Sequence, residues 1–199
     1  NLIKYLHCIS IGIPIWYTVG LLVMNSADNF GPWLSVYDIS NGKAVMYCYL
    51  GLSAGDLLAG FLSQWWKSRK KVVQLYLWFS LAITLFFLVY MHNFNNSAAT
   101  YYLLCFLLGA GTGYWAIFVT IAAEQFGTNI RSTAANTIPN FVRGSVNIVV
   151  LLFSFLLSLQ FNEGWSALIV GVFFIGLALF SLSQLKETFG KDLNYFEVS

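Results

Sequence analysis

Two ionisable side chains, Asp56 and Arg143, each lie within an otherwise apolar span. A charged group in such a setting faces protein or water, because exposure to hydrocarbon is costly. One carboxylate and one guanidinium suit either mutual neutralisation or the exchange of a proton and a solute with the two sides of a barrier. The charge on a buried carboxylate responds to desolvation and to a nearby cation in opposite senses. Asp56 and Arg143 are therefore candidate coupling residues. Counted from the expected helix ends, both lie about 10 Å in, which leaves open whether they touch.

Arg143 also belongs to a pattern. Asn136, Asn140, Arg143, Asn147, Ser154 and Ser158 follow steps of four and three, with one of seven, and so share a helical face. Such a wall either lines a water-filled pathway or supplies interhelical hydrogen bonds, each of modest strength. An arginine with three asparagines exceeds what such bonding needs, which favours the pathway.

Other motifs carry less. Gly51-Leu52-Ser53-Ala54-Gly55 fits the G-x-S-x-G nucleophile pattern. An intramembrane serine hydrolase would also need a base in reach, and His7 and His92 fall roughly 15 Å away in depth. Gly111-x-Gly113-x-x-Ala116 has the letters of a dinucleotide fingerprint without its preceding strand. Small residues in both segments, with Gly109 and Thr120, suit close helix packing instead. Cys8, Cys48 and Cys105 have no metal-ligand spacing, and no cofactor or metal is expected. Asn95-Asn96-Ser97 matches a glycosylation acceptor in a short loop. Glu124 opposes the dipole at the C-terminal end of its helix and calls for a cation. Arg131 is the nearest in sequence, and Arg69, Lys70 and Lys71 are alternatives. Such a pair is either a latch that breaks between states or a static cap.

The elements that position these residues follow from composition. A soluble domain is about one-quarter charged, whereas this chain is 9% charged and 58% hydrophobic. Charge-free runs cover 5–27, 72–123, 144–162 and 164–185, and a membrane crossing needs about 20 apolar residues. With polar breaks between them, six membrane helices are expected near 5–24, 44–63, 72–91, 101–122, 135–159 and 164–185. Lys4, Lys67, Arg69, Lys70, Lys71, Arg131, Lys186 and Lys191 fall on one side of the alternating path, and Lys43 on the other. Basic residues stay inside, so both termini and the tail 186–199 are expected to be cytoplasmic. The basic run 67–71 then reads as a topological anchor and not as a nucleic-acid site. No cleavable signal peptide is evident, and a first residue of Asn hints at a fragment.

The helices form two triplets of matching character. The first and fourth are rich in glycine or proline, with Gly12, Pro14 and Gly20 answering Gly109, Gly111 and Gly113. The second and fifth each carry one ionisable residue, and the third and sixth are lipophilic. Inverted three-helix repeats with interrupted inner helices are a transporter trait.

Three segments resemble the major facilitator superfamily. Gly60-Phe61-Leu62-Ser63-Gln64-Trp65-Trp66-Lys67-Ser68-Arg69-Lys70-Lys71 is similar to its loop signature G-x-L-[small]-D-R-x-G-R-K, with Gln64 in place of the aspartate and Lys67 in place of the second glycine. Glu124 to Arg131, continuing into Pro139-Asn140-Phe141-Val142-Arg143-Gly144, resembles the acidic end of the family's fourth helix and the start of its fifth. Lys186-Glu187-Thr188-Phe189-Gly190 resembles the sugar-porter ending P-E-T-K-G, which organic-acid carriers share. The resemblance implies an all-α membrane protein. It would be the C-terminal half of a twelve-helix transporter, built from two three-helix repeats and lacking an N-terminal six-helix half. Such a protein moves a small polar organic solute, a sugar or organic acid, by alternating access and proton symport in the bacterial inner (plasma) membrane. It implies cavity contacts from Tyr17, Tyr114 and Trp115 with Asn140, Arg143 and Asn147. It also implies a cytoplasmic gate of Gly60, Gln64, Arg69, Lys70, Glu124 and Arg131. A protein of this kind is not an enzyme. The rival classes are a non-transporting six-helix receptor or structural protein, and the serine hydrolase above.

Overall fold

A computed structural model describes residues 1–24, 26–90 and 97–196. His92, Asn95 and Asn96 lie outside them, as does the last residue of the third expected helix. The described residues are helical and contain no strand. Among the described residues six helices are long and apolar enough to cross a membrane: α1 Leu2–Val23, α2 Asn41–Trp66, α3 Arg69–Val89, α4 Ala98–Glu124, α5 Thr128–Ser158 and α6 Glu163–Gln184.

Local chemistry sets several ends. Ser68 Oγ accepts from the Lys71 amide at 3.2 Å, Ser97 Oγ from Thr100 at 3.2 Å and Asn162 Oδ1 from Trp165 at 2.8 Å, which satisfies first-turn donors of α3, α4 and α6. Lys67, where the family signature has glycine, ends α2 in the left-handed region at φ 49°. α5 begins at Thr128, well before the expected 135. The polar stretch 128–134 that reads as loop is helical and buries Ala134 on the bundle. α1 carries Pro14 and winds more widely from Tyr17 to Val23.

In the bundle, α2 lies against α4, α4 against α1, and α1 against α5. Behind this row α3 touches α2, α4 and α6, and α6 touches α1 and α5. The Trp115–Glu124 half of α4 leans on the Thr128–Gly144 half of α5, and the Tyr17–Val23 half of α1 leans on α2. α1 and α4 are the most enclosed helices, α2 and α5 the least.

The α2–α4 contact is a backbone contact. A methyl group on Gly51 would strike the Phe106 carbonyl, and one on Gly109 the Cys48 carbonyl. A methyl on Gly113 would lie 2.5 Å from Gly55 Cα. Small residues are what let these two helices meet. At the end of the bundle away from the basic cluster, the connection after α1 is not the polar loop its composition suggests. Phe30, Leu34 and Val36 are buried, and Phe30 packs edge-on against Phe87 at 6.2 Å.

Candidate functional site

α4 is broken at 112–114, between Ala98–Gly111 and Trp115–Glu124. The break sits where Gly113 is pressed against Gly55. Side-chain hydroxyls reach the carbonyls around the interruption. Thr112 Oγ1 lies 3.1 Å from the Leu108 and Gly109 oxygens, and Ser80 Oγ donates to Gly111 O at 2.7 Å. On the facing helix, the Tyr76 hydroxyl donates to Gly55 O at 2.7 Å.

The restarted half of α4 is capped from another helix. Asp56 Oδ1 on α2 accepts from the Ala116 amide at 3.0 Å. A carboxylate there satisfies an orphan first-turn donor and complements the positive end of the helix dipole. The neighbouring residue faces the cation: the Arg143 guanidinium on α5 lies 5.3 Å from the Trp115 ring centroid. Arg143 Nη1 also donates to Asn140 Oδ1 at 3.3 Å. Asp56 and Arg143 thus flank consecutive residues of α4 and stand at one level of the bundle. They do not form an ion pair, and Arg143 meets no carboxylate among the described residues.

Asn136, Asn140, Arg143, Asn147, Ser154 and Ser158 are all exposed on one side of α5. Asn136 Nδ2 donates to Ser132 O at 2.8 Å, Asn147 Nδ2 to Gly144 O at 3.4 Å and Ser158 Oγ to Phe155 O at 2.6 Å. These bonds stay on α5, and the stripe reaches another helix through Arg143, over the Trp115 ring of α4. Beside it runs a groove of about 480 Å³ between α1 and α5, lined by Ile9, Ile13, Thr137, Asn140, Phe141 and Ile148 among others.

Two expected cavity residues lie elsewhere. Tyr17 is fully buried and donates to Ala167 O on α6 at 2.8 Å, and Tyr114 is fully buried and donates to Ile11 O on α1 at 2.9 Å. In this conformation both are struts between helices, while Trp115 reaches the open face. Ser53 Oγ is turned to the Tyr49 carbonyl of its own helix at 2.9 Å. His7 Nδ1 lies 3.2 Å from Ser181 Oγ on α6.

Most of the basic residues, Lys43 and Arg143 apart, gather at one end of the bundle in a second site. Arg69 grips Glu124 through both carboxylate oxygens, Nε to Oε2 at 2.6 Å and Nη2 to Oε1 at 2.7 Å, the strong two-point geometry of a guanidinium fork. Both side chains are largely shielded, at 18% and 12% exposure. The partner of Glu124 is therefore Arg69. Arg131, nearest in sequence, turns instead to Phe126 O at 3.1 Å and to Leu193 O. Gly60 and Gln64 are exposed on α2, and a methyl on Gly60 would meet open space.

Sequence reasoning missed how the segment after α6 closes this end. Glu187 accepts from Ser68 Oγ and from the amides of Arg69 at 3.1 Å and Lys70 at 3.2 Å, capping α3. Lys70 Nζ in turn reaches Leu185 O beyond the end of α6. Farther on, Tyr195 O accepts from the Thr128 amide at 2.8 Å, and its hydroxyl donates to Gln125 O at 2.9 Å. Lys4 of α1 donates to the same Gln125 carbonyl at 2.8 Å. Burial works to raise the Glu187 carboxyl, but the Ser68 hydroxyl and the amides of Phe189, Arg69 and Lys70 outweigh it and hold it below its ordinary value. The signal was the Lys186–Gly190 match, whose structural role only the folded chain reveals.

Fold and composition thus define, among the described residues, an all-helical bundle with six helices of membrane-crossing length and an exposed polar stripe on α5 beside a broken helix. The chain matches no family model, no curated protein and no solved structure.

Proposed function

We propose that the chain is half of a secondary transporter of the major facilitator type, working by alternating access with a second six-helix bundle on its open face. The observation that carries this reading is the placement of half-buried Asp56 and Trp115 and exposed Arg143 at one level of the bundle, where polar residues would line a solute path. A broken helix at that level is a further transporter feature. The neighbour relations support two inverted repeats. Exchanging α1, α2, α3 for α4, α5, α6 turns the α2–α4 contact into α5–α1, α1–α6 into α4–α3, and α2–α3 into α5–α6, all of which occur. In this reading the basic end is cytoplasmic, as the bias in Lys and Arg favours, in a bacterial plasma membrane. The Arg69–Glu124 pair then holds one access state. The solute is a small polar organic molecule, a sugar or organic acid, and protons drive it.

Reconstituting the complete protein in liposomes tests the proposal. An imposed proton gradient is expected to drive accumulation of at least one member of a sugar and organic-acid panel. Folded protein in sealed vesicles that passes none of them, with or without a gradient, would point to a receptor or structural role.

A further inference from the structure

Arg143 is a cation at the level of the α4 break, more than two helical turns from either end of α5. A guanidinium in that position calls for a counter-charge or a wet surrounding. The other ionisable residue at the same level, Asp56, is committed to the Ala116 amide. Trp115 holds the guanidinium through its ring face at 5.3 Å, an attraction that fixes the group without neutralising it. Of the five N–H donors of an arginine, Asn140 engages one, at Nη1. The remaining donors form a fork shaped for two oxygens on one atom.

We propose that this fork binds the carboxylate of an organic monoanion, with Arg143 as anchor, Asn140 holding its orientation and Trp115 flanking it. The inference rests on the transport reading and deepens it by naming the solute class. Asn140 and Trp115 are the neighbours Arg143 meets among the described residues, and one cation between neutral groups suits a carboxylate better than a phosphate dianion, which draws more positive charge. The organic body of the ligand has a place to lie: the groove of about 480 Å³ between α1 and α5 has Asn140 on its wall and Ile9, Ile13, Phe141 and Ile148 as its apolar lining.

The test uses the complete protein in detergent and matched probes: gluconate against glucose, lactate against glycerol, and glycerol 3-phosphate. Thermal unfolding is followed as each is titrated, and uptake of labelled gluconate, lactate and glucose is measured in proteoliposomes. Gluconate or lactate is expected to raise the Tm where its neutral counterpart does not. Arg143→Gln is expected to weaken the apparent affinity roughly tenfold or more, the scale of a lost hydrogen bond to a charged group, and Arg143→Lys to retain part of it. If the glutamine variant does not fold, Asn140→Ala serves in its place with an expected several-fold loss. The proposal is overturned by equal responses to charged and neutral probes, or by no response to either carboxylate. A response confined to glycerol 3-phosphate, or one unchanged in the variants, overturns it too. A carboxylate-specific shift without uptake keeps the site and removes transport, whereas glucose uptake indifferent to Arg143→Gln does the reverse.

Discussion

The Asp56 carboxylate and the Ala116 amide meet at 3.0 Å across two helices, so that an acid on α2 serves as the cap of a helix cut in two. Asp56→Asn keeps an acceptor of the same shape and is expected to leave the fold intact while abolishing accumulation driven by a proton gradient. Asp56→Leu removes the acceptor as well and is expected to lower stability by about 1 kcal/mol, as loss of a helix cap does. Unfolding in detergent and gradient-driven uptake measure the two effects. Full proton-driven uptake by the asparagine variant would take Asp56 out of the coupling.

Arg69 and Glu124 lie in a shielded, two-point contact. Arg69→Gln and Glu124→Gln are each expected to destabilise by about 1.5–3 kcal/mol, the range for hydrogen bonds to charged groups. The double variant should lose less than the sum of the two, because the second change removes a contact already broken. Additive losses in a double-mutant cycle would mean that the two residues act separately.

Glu187 gives the basic end an acid limit. Its carboxyl is held below the ordinary value of 4.5 in the folded chain, so unfolding takes up a proton as the pH drops. The contribution is complete above that ordinary value and is lost as the pH falls through the depressed one. Glu187→Gln is therefore expected to lower the Tm at neutral pH and to converge with the parent protein in acid. Melting curves taken from pH 7 downward check this; a constant gap at every pH would contradict it.

Gly109 packs on the Cys48 carbonyl, and neither backbone can retreat without parting α2 from α4. Gly109→Val is expected to destabilise by roughly 1–3 kcal/mol, the usual range for overpacking, or to prevent folding. Cys48 and Cys105 are buried nearby. Maleimide should label them slowly in the parent protein and quickly in the valine variant, and equal rates would argue against the packing.

Much of the fold was legible because a membrane crossing imposes a simple length rule on apolar runs, and all six spans answer to it, α2 and α5 despite the charges they carry. The stripe on α5 was legible from its spacing alone. The start of α5 was not, since Thr128 to Thr133 is polar enough to read as loop while its helix leans on α4. Glu124 called for a cation without saying which: Arg131 is closest along the chain, but the alternative Arg69, 55 residues away, is the partner. Tyr17 and Tyr114 sit on the expected helices, yet a side chain's azimuth depends on which neighbours the helix acquires. Contact with Ala167 and Ile11 turns them inward.

Glu187 follows Arg69 by 118 residues, which sets an order of events during synthesis. The first amides of α3 stay bound to water while three more helices are made, until the acid that closes them leaves the ribosome. Lys70, whose partner is the Leu185 carbonyl, stays uncommitted nearly as long, whereas the Arg69 side chain can close on Glu124 as soon as α4 has been made.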